Sequence, residues 1–272
     1  MKPSETSQGQ VIEDVASAQK SVVSLLLGIA LDKGLVQLDD AASKYLGTGW
    51  SKATPDAEQQ ITLRNLVTMT SGLNEQLEPV AQPGEQWLYN TSAYSQTLAA
   101  LESASAMTAN ELTAKWLLEP IGMRDSKWVE RAKLRGVEGG ANRYGFSTSA
   151  YDLARFGLLM LAHGKWQDQQ IVSAEYVRES TSPSQKLNLS YGYLWWLNGQ
   201  NEIVRGKRTL PGQLNSSAPA DMFAAMGALG RKCYVVPSQQ LVVVRLGDDP
   251  ATPAQPDFDR EFWRLLMLAL PK

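Results

Sequence analysis

The near-continuous apolar run from Val22 to Leu31 constrains this chain more than any other stretch. It is headed by Ser17-Ala18-Gln19-Lys20 and followed by Lys33-Gly34. Leu25, Leu26 and Ile29 recur at helical spacing and Gly34 supplies a stop, so the segment reads as a core helix. Residues three apart share a helix face, which lets Lys20 reach the Ser17 hydroxyl within one turn. A serine at a helix N-terminus also lies where unpaired N–H groups and the macrodipole favour negative charge. Ser17 is therefore a candidate nucleophile with a place for an oxyanion beside it. The Ser-x-x-Lys spacing occurs once in the 272 residues. Taken alone it is a weak signal, and an exposed pair capping a core helix explains it equally well.

The bulk properties remove several classes of function. The length suits one or two domains at roughly 100–200 residues each. With 26 Lys and Arg against 28 Asp and Glu, the net charge is −2, and no basic block recommends nucleic acid or an anionic membrane as a partner. The single cysteine, Cys233, cannot form an internal disulfide; in Cys233-Tyr234-Val235-Val236 it reads as a small core residue. No apolar run reaches the ~18 residues of a membrane-spanning helix. The N-terminus does not read as a signal peptide, so a cytoplasmic location is expected. The single histidine, His163, falls in a turn, and Gly49-Trp50-Ser51-Lys52-Ala53 lacks the second glycine of a nucleophile elbow. A Ser-His-Asp triad and a multi-histidine zinc site are thereby excluded. If this is a serine enzyme, its base is a lysine or a tyrosine.

Helix signals dominate the first two thirds: Ile61 to Leu73, Thr91 to Met107, Asn110 to Leu118, Ser149 to Ala162 and Val172 to Glu179. A glycine-rich loop is expected from Gly136 to Phe146. Strand signals follow at Tyr191 to Leu197, Glu202 to Val204, Met222 to Met226, Lys232 to Val236 and Leu241 to Leu246, and a helix closes the chain from Asp257 to Leu268. The order predicts an α+β fold with a sheet domain, residues 1–55 plus 190–272, and an inserted helical domain, residues 56–189, with the active site between them.

Two further segments can carry chemistry. Tyr89 lies at a loop-to-helix junction after Pro83-Gly84, where a phenol can point into a cleft and shuttle a proton. A packing tyrosine is the plainer reading of that residue by itself. Phe223 to Gly230 links two strands with small residues, which let a ligand approach the backbone; a hairpin with glycines explains it as well.

In order and spacing, these motifs resemble the penicillin-recognising serine hydrolases, most closely the class C β-lactamase-like branch with its family VIII carboxylesterases and 6-aminohexanoate-dimer hydrolases. Ser17-x-x-Lys20 matches the nucleophile motif. Tyr89-Asn90-Thr91 matches Tyr-x-Asn with threonine in the last place. Met226-Gly227-Ala228 falls where a Lys-Thr-Gly strand is expected. Leu66 to Leu73, Glu119 to Met123, Ser147 to Ala154 and Tyr191-Gly192-Tyr193 are similar as well, and the resemblance covers the chain from Val15 onward. It implies a β-lactamase/transpeptidase-like fold, an antiparallel sheet flanked by helices. It also implies an acyl-enzyme mechanism: Ser17 attacks a carbonyl, Lys20 with Tyr89 moves the proton, and the N–H groups of Ser17 and Ala228 hold the oxyanion. That chemistry needs a neutral Lys20 or an ionised Tyr89 near neutral pH. No metal or organic cofactor is implied.

The departures from the family pattern bear on substrate. Ala225 and Met226 replace the lysine and threonine expected to grip a substrate carboxylate, which favours an uncharged ester or amide over a β-lactam; Arg205, Lys207, Arg208 or Arg231 are alternative cations on nearby loops. Thr91 in place of asparagine leans toward esters. Trp87, Tyr193, Trp195 and Trp196, with Thr91 and Gly227, are the candidate substrate-binding residues. Only 16 residues precede Ser17, so the outer N-terminal strands of the sheet are expected to be missing and an open edge to invite a homodimer. The readings are a carboxylesterase first, then an amide hydrolase (β-lactamase, D-amino-acid peptidase or hydrolase of 6-aminohexanoate oligomers), then a non-catalytic ligand-binding module of the same fold. The partner is a small-molecule ester or amide.

Overall fold

The computed structural model describes residues 4–5, 11–131, 144–206, 208–247 and 258–270. Its centre is α1 (Gln19–Asp32), buried from Gln19 through Ala30. A helix that is apolar on every side can satisfy itself only in the middle of a fold. Gly34, at φ +68°, ends it as the sequence predicts. Short helices and turns surround it: α2 (Ser43–Leu46), α3 (Pro55–Glu58), α4 (Leu63–Val67), α5 (Thr91–Ser105), α6 (Ala109–Thr113) and α7 (Glu119–Ile121). Then come α8 (Ala150–Leu161), α9 (Ala174–Ser180) and the C-terminal α10 (Phe258–Ala269). Helix α1 touches α5, α9 and a strand of the main sheet, so it fixes the helical layer relative to the sheet.

Two antiparallel sheets flank it. One has the order β1-β2-β4-β3, from β1 (Ser4–Glu5), β2 (Val11–Asp14), β3 (Lys127–Glu130) and β4 (Tyr144–Ser149). Strands β3 and β4 come from the stretch expected to be a helical insertion; β4 pairs with β2, the segment that leads into Ser17, and β3 pairs with the other edge of β4. Two hairpins stand apart, β5 (Lys165–Trp166) with β6 (Gln169–Gln170), and β8 (Glu202–Arg205) with β9 (Arg208–Pro211). The main sheet has the order β12-β11-β10-β7, from β7 (Trp196–Leu197), β10 (Phe223–Met226), β11 (Lys232–Val236) and β12 (Leu241–Arg245). Side chains alternate across it. Cys233 and Val235 face α8 and the large core, while Ala224, Tyr234 and Val236 face the other way, onto Trp263 of α10. Cys233 is fully buried, and burial pushes its thiol up to about 12, so it is an inert core group.

Several boundaries differ from the sequence reading for local reasons. Ile61 to Leu73 contains only the short α4, because Met69 and Gly72 take positive φ and turn the chain. Tyr191 to Leu197 is a tight turn feeding a two-residue strand: Leu194 has φ +60° and the Gly192 N–H donates to the Trp195 carbonyl. The expected glycine-rich loop lies outside the described residues up to 143, and its last part, Tyr144 to Phe146, is strand. His163 is exposed in its turn.

Candidate active site

The residues before α1 leave β2 and turn sharply into a single 3-10 turn, Ala16–Ala18. Ala16 has φ +50°, a left-handed conformation that costs an L-residue roughly 1–2 kcal/mol. Its N–H is held by the Asp14 carboxylate at 2.8 Å. Asp14 in turn accepts two hydrogen bonds from the Arg131 guanidinium. Burial pushes the Asp14 carboxyl up, but the Arg131 hydrogen bonds and charge outweigh it and hold Asp14 below its usual value. The turn thus projects Ser17, half-buried, at the foot of α1.

Lys20 is one helical turn on. Its Nζ donates to Ser17 Oγ at 3.2 Å and makes a longer contact of 3.5 Å with Thr91 Oγ1. It lies over the rings of Tyr94 at 4.3 Å and Tyr89 at 4.7 Å. Only 2% of Lys20 is exposed. Burial pulls its pKa from 10.5 down to about 7; the Glu75 carboxylate opposes the shift and the Arg131 charge assists it. Desolvation penalises an ammonium, and the aromatic faces offset only part of that cost. A large fraction of Lys20 is therefore neutral at pH 7, beside a hydroxyl whose proton it can accept.

Tyr89 enters from the extended segment ahead of α5. Asn90 caps that helix, its Oδ1 accepting from the Ala93 N–H, while its Nδ2 donates to the carbonyls of Leu73 and Asn74. Asn90 is thereby spent on holding the loop, which leaves Thr91, at the first position of α5, to face Lys20. Glu75 covers the same helix end, accepting from the Thr91 and Ser92 N–H groups. Burial pushes the Tyr89 phenol up to about 12, against a hydrogen bond with Ser17 that lowers it. Of the two states the sequence allowed, a neutral lysine and a protonated tyrosine is the one this environment favours.

The end of β10 closes the other side. A Cβ on Gly227 would come within 2.1 Å of the Val15 carbonyl oxygen, so glycine alone allows this approach to the nucleophile turn. The N–H groups of Ser17 and Ala228 make no hydrogen bond among the described residues. Both residues line a cleft of about 410 Å³ together with Trp87, Tyr89, Trp196, Arg205, Met226 and Gly227. Trp196 stacks on Tyr89 with ring centroids 5.9 Å apart, and Trp87 meets both rings.

The structure brings Ser17, Lys20, Tyr89, Thr91, Trp87, Gly227 and Ala228 together. Two sequence candidates lie elsewhere. Trp195 is fully buried, stacked on Phe156 and meeting Phe223 edge-on. It precedes Trp196, and neighbours in an extended segment point to opposite faces, so only one of the pair can reach the cleft. Tyr193 is 6% exposed and its hydroxyl accepts from Arg64 at 2.9 Å, away from Ser17. Among the alternative cations, Arg231 is buried and donates to Glu13 and to the Asp14 carbonyl. Arg208 is exposed on β9, and Lys207 lies outside the described residues. Among the described alternative cations, only Arg205 borders the cleft. Asp14, Arg131 and Ala16 were missed, because a carboxylate and a guanidinium 117 positions apart give no local signal and alanine gives no hint of a left-handed backbone.

Among the described residues, no group of three His, Cys, Asp or Glu side chains is placed to hold a metal, and no helix is long and apolar enough to cross a membrane. An antiparallel sheet packed against helices, with a serine and a buried lysine at the start of the central helix, defines a β-lactamase/transpeptidase-like serine hydrolase fold. The chain belongs to the beta-lactamase family, whose model matches residues 10–267. The D-alanyl-D-alanine-carboxypeptidase/endopeptidase AmpH of Escherichia coli (strain K12) is 30% identical over 140 residues, 42% of this chain and 36% of that protein's length. Among solved structures, a Bacillus anthracis protein assigned as a 6-aminohexanoate-dimer hydrolase superposes with a TM-score of 0.72, at 17% identity over 97% of this chain and 75% of the other. EstCE1, a hydrolase with promiscuous acyltransferase activity, gives 0.69 at 12% identity over 94% and 85%. At these identities the structural matches establish the fold.

Proposed function

We propose that this protein is a serine hydrolase of the class C β-lactamase-like branch that works through an acyl-enzyme, with small carboxylic esters as its preferred substrates. The observation that carries the reading is the Lys20 amine, poised near neutrality and 3.2 Å from Ser17 Oγ. Ser17 attacks the substrate carbonyl as Lys20 takes its proton. The N–H groups of Ser17 and Ala228 hold the tetrahedral oxyanion, a task for which donors fixed in advance are most effective. Tyr89, which stays protonated at ordinary pH, gives a proton to the leaving group and is reprotonated by the Lys20 ammonium, which returns the amine to its neutral form. Water then repeats the sequence on the acyl-enzyme and restores Ser17. The preference for esters rests on Met226, which cannot supply the charge or hydroxyl of a lysine–threonine strand, and on Thr91, which lacks an amide.

A second reading, amide hydrolysis, has the raised Tyr89 pKa in its favour. An amine leaving group needs a proton more than an alkoxide does, and a phenol held near 12 keeps one available. Turnover of p-nitrophenyl butyrate by the wild type and by Ser17→Ala tests the first reading. Loss of at least a thousandfold in the variant is expected, as for other activated serine nucleophiles. Equal turnover in both would exclude Ser17 as nucleophile. Activity confined to matched anilides would favour the amide reading, and no turnover of either would leave a binding module.

A further inference from the structure

The main sheet has a second face. Cys233 and Val235 point at α8, so Lys232 and Tyr234 point the other way, toward α10. A cavity of about 350 Å³ lies on that side, bounded by the end of β10, the start of β11, the end of β12 and the first turn of α10. It shares Met226 and Arg205 with the Ser17 cleft, but Ser17 and Tyr89 do not line it.

The charge around this cavity is one-sided. Lys232 stands opposite Met226 on β10 and opposite Arg245 on β12. Directly opposed residues on one face of a sheet have Cβ atoms about 5 Å apart, and like charges in those places weaken the pairing. Arg260 adds a further cation from α10. The one carboxylate among the described lining residues is Asp259, which forms an ion pair with Lys232. Arg245 donates to the Leu229 and Gly230 carbonyls at 3.1 and 2.9 Å. Those bonds orient the guanidinium but bring no counter-charge.

Two more features favour an anion. Tyr234 borders the cavity and is 3% exposed, and its hydroxyl makes no hydrogen bond among the described residues. Burial, with the Asp259 carboxylate nearby, pushes the phenol well above its ordinary value, so it keeps its proton and remains a donor. A buried hydroxyl without a partner is costly, and a group entering the cavity is placed to supply one. In addition, Phe258, Asp259 and Arg260 open the 12-residue helix α10 and all three line the cavity. The positive end of that helix is thereby set toward it.

We propose that this cavity is a binding site for a dianionic phosphate group, held by Lys232, Arg245 and Arg260 at the start of α10. A tetrahedral dianion accepts from several directions at once and answers more than one cation, whereas a carboxylate is served by a single fork. Leu214, Met222 and Phe258 give the same cavity an apolar wall, which suits the organic part of a phosphate monoester.

Calorimetric titration of the intact chain tests the site with phenyl phosphate, inorganic phosphate and benzoate. The titration is run at about pH 7.5, where a phosphate monoester with a second pKa of about 6 is mostly dianionic. Phenyl phosphate is expected to bind with a Kd below about 1 mM, and at least tenfold more tightly than benzoate, which has the ring but a single charge. Phenyl phosphate tighter than inorganic phosphate would identify an ester as the occupant and equal affinities free phosphate; either supports the site. Arg245→Gln and Arg260→Gln should each weaken phenyl phosphate about tenfold, the scale of one charge-assisted contact. Arg260 is exposed on α10, so its variant keeps the test valid even if loss of the Arg245 carbonyl bonds disturbs folding. Arg264→Gln, on the same helix but paired with Glu261 and off the cavity, should leave the affinity as it is. Phosphate binding no tighter than that of benzoate, or an affinity untouched by Arg260→Gln, would overturn the proposal. None of these probes is a carboxylic ester, so the result stands whether or not Ser17 proves to be a nucleophile.

Discussion

At Lys20 one physical cause works in opposite directions on chemistry and on stability. Burial lowers the amine to about 7 from 10.5, which creates a base but leaves an ammonium in a poor solvent whenever it is protonated. Under the proposed mechanism kcat/KM should rise with pH through an apparent pKa near 7. It should then hold through pH 10, because Tyr89 stays protonated to about 12. A pH–rate series reports that value for the coupled Lys20–Tyr89 pair, and a flat profile would remove Lys20 as the base. The stability effect has the opposite consequence for a variant. Between pH 7 and 10.5 the unfolded chain keeps a proton on Lys20 that the folded protein has released, so stability climbs with pH at up to roughly 1.4 kcal/mol per unit. Below pH 7 both states are protonated and the whole cost is present. Lys20→Met should therefore be inactive yet more stable than the wild type by a few kcal/mol at pH 6.5, an advantage that shrinks by pH 9.5. Urea unfolding at the two pH values checks the sign; a variant less stable at pH 6.5 would mean that the ammonium is better solvated than its burial indicates.

At the level of elements, the site depends on two backbones meeting where side chains would keep them apart. Strand β10 ends at Gly227, whose N–H donates to the Arg231 carbonyl at 2.7 Å, and the nucleophile turn passes so close that a Cβ would strike the Val15 oxygen. Gly227→Ala should push the strand end away from the turn and move the Ala228 N–H off the oxyanion position. Loss of one such donor costs about 100- to 1000-fold in kcat. Circular dichroism should still report the native helix and sheet content; wild-type kcat in the variant would mean that the strand end is not part of the oxyanion site. Such a contact also marks the limit of what the pattern of residues reveals. Helical periodicity locates α1, α5 and α8 to within a few residues, and valine-rich runs locate β11 and β12, because those signals come from neighbours in the chain. The family spacing brings forward Ser17, Lys20, Tyr89 and Ala228 as candidates. The pairing of Asp14 with Arg131, the left-handed Ala16 and the choice of Trp196 over Trp195 for the cleft all depend on which distant segment lies alongside, and alternation in a two-residue strand is too short to read.

Across the whole molecule, one buried arginine joins the parts that the chemistry needs in register. Arg231, in the connection between β10 and β11, donates to the Asp14 carbonyl at 2.7 Å and to Glu13 Oε2 at 3.1 Å. Glu13 Oε2 also accepts from the Gly247 N–H beyond β12 at 2.9 Å. Through these bonds the sheet that leads into Ser17 is tied to the sheet that ends at Ala228, so both proposed oxyanion donors hang on one side chain. Arg231 and Glu13 are each 7% exposed. Removing one member of a buried ion pair leaves the other charge stranded and costs about 3–5 kcal/mol, whereas replacing both is far milder. Arg231→Met should accordingly destabilise the protein by about 3 kcal/mol, and adding Glu13→Gln should recover most of that loss in urea unfolding. Activity should not return with it. The double variant relieves the stranded charge but lacks the guanidinium bond between the β10–β11 connection and the Asp14 carbonyl, so kcat/KM should stay at least tenfold below the wild type while stability approaches it. If activity and stability recovered together, Arg231 would be a folding element alone, and the alignment of the two sheets would have to come from the packing of α1 between them.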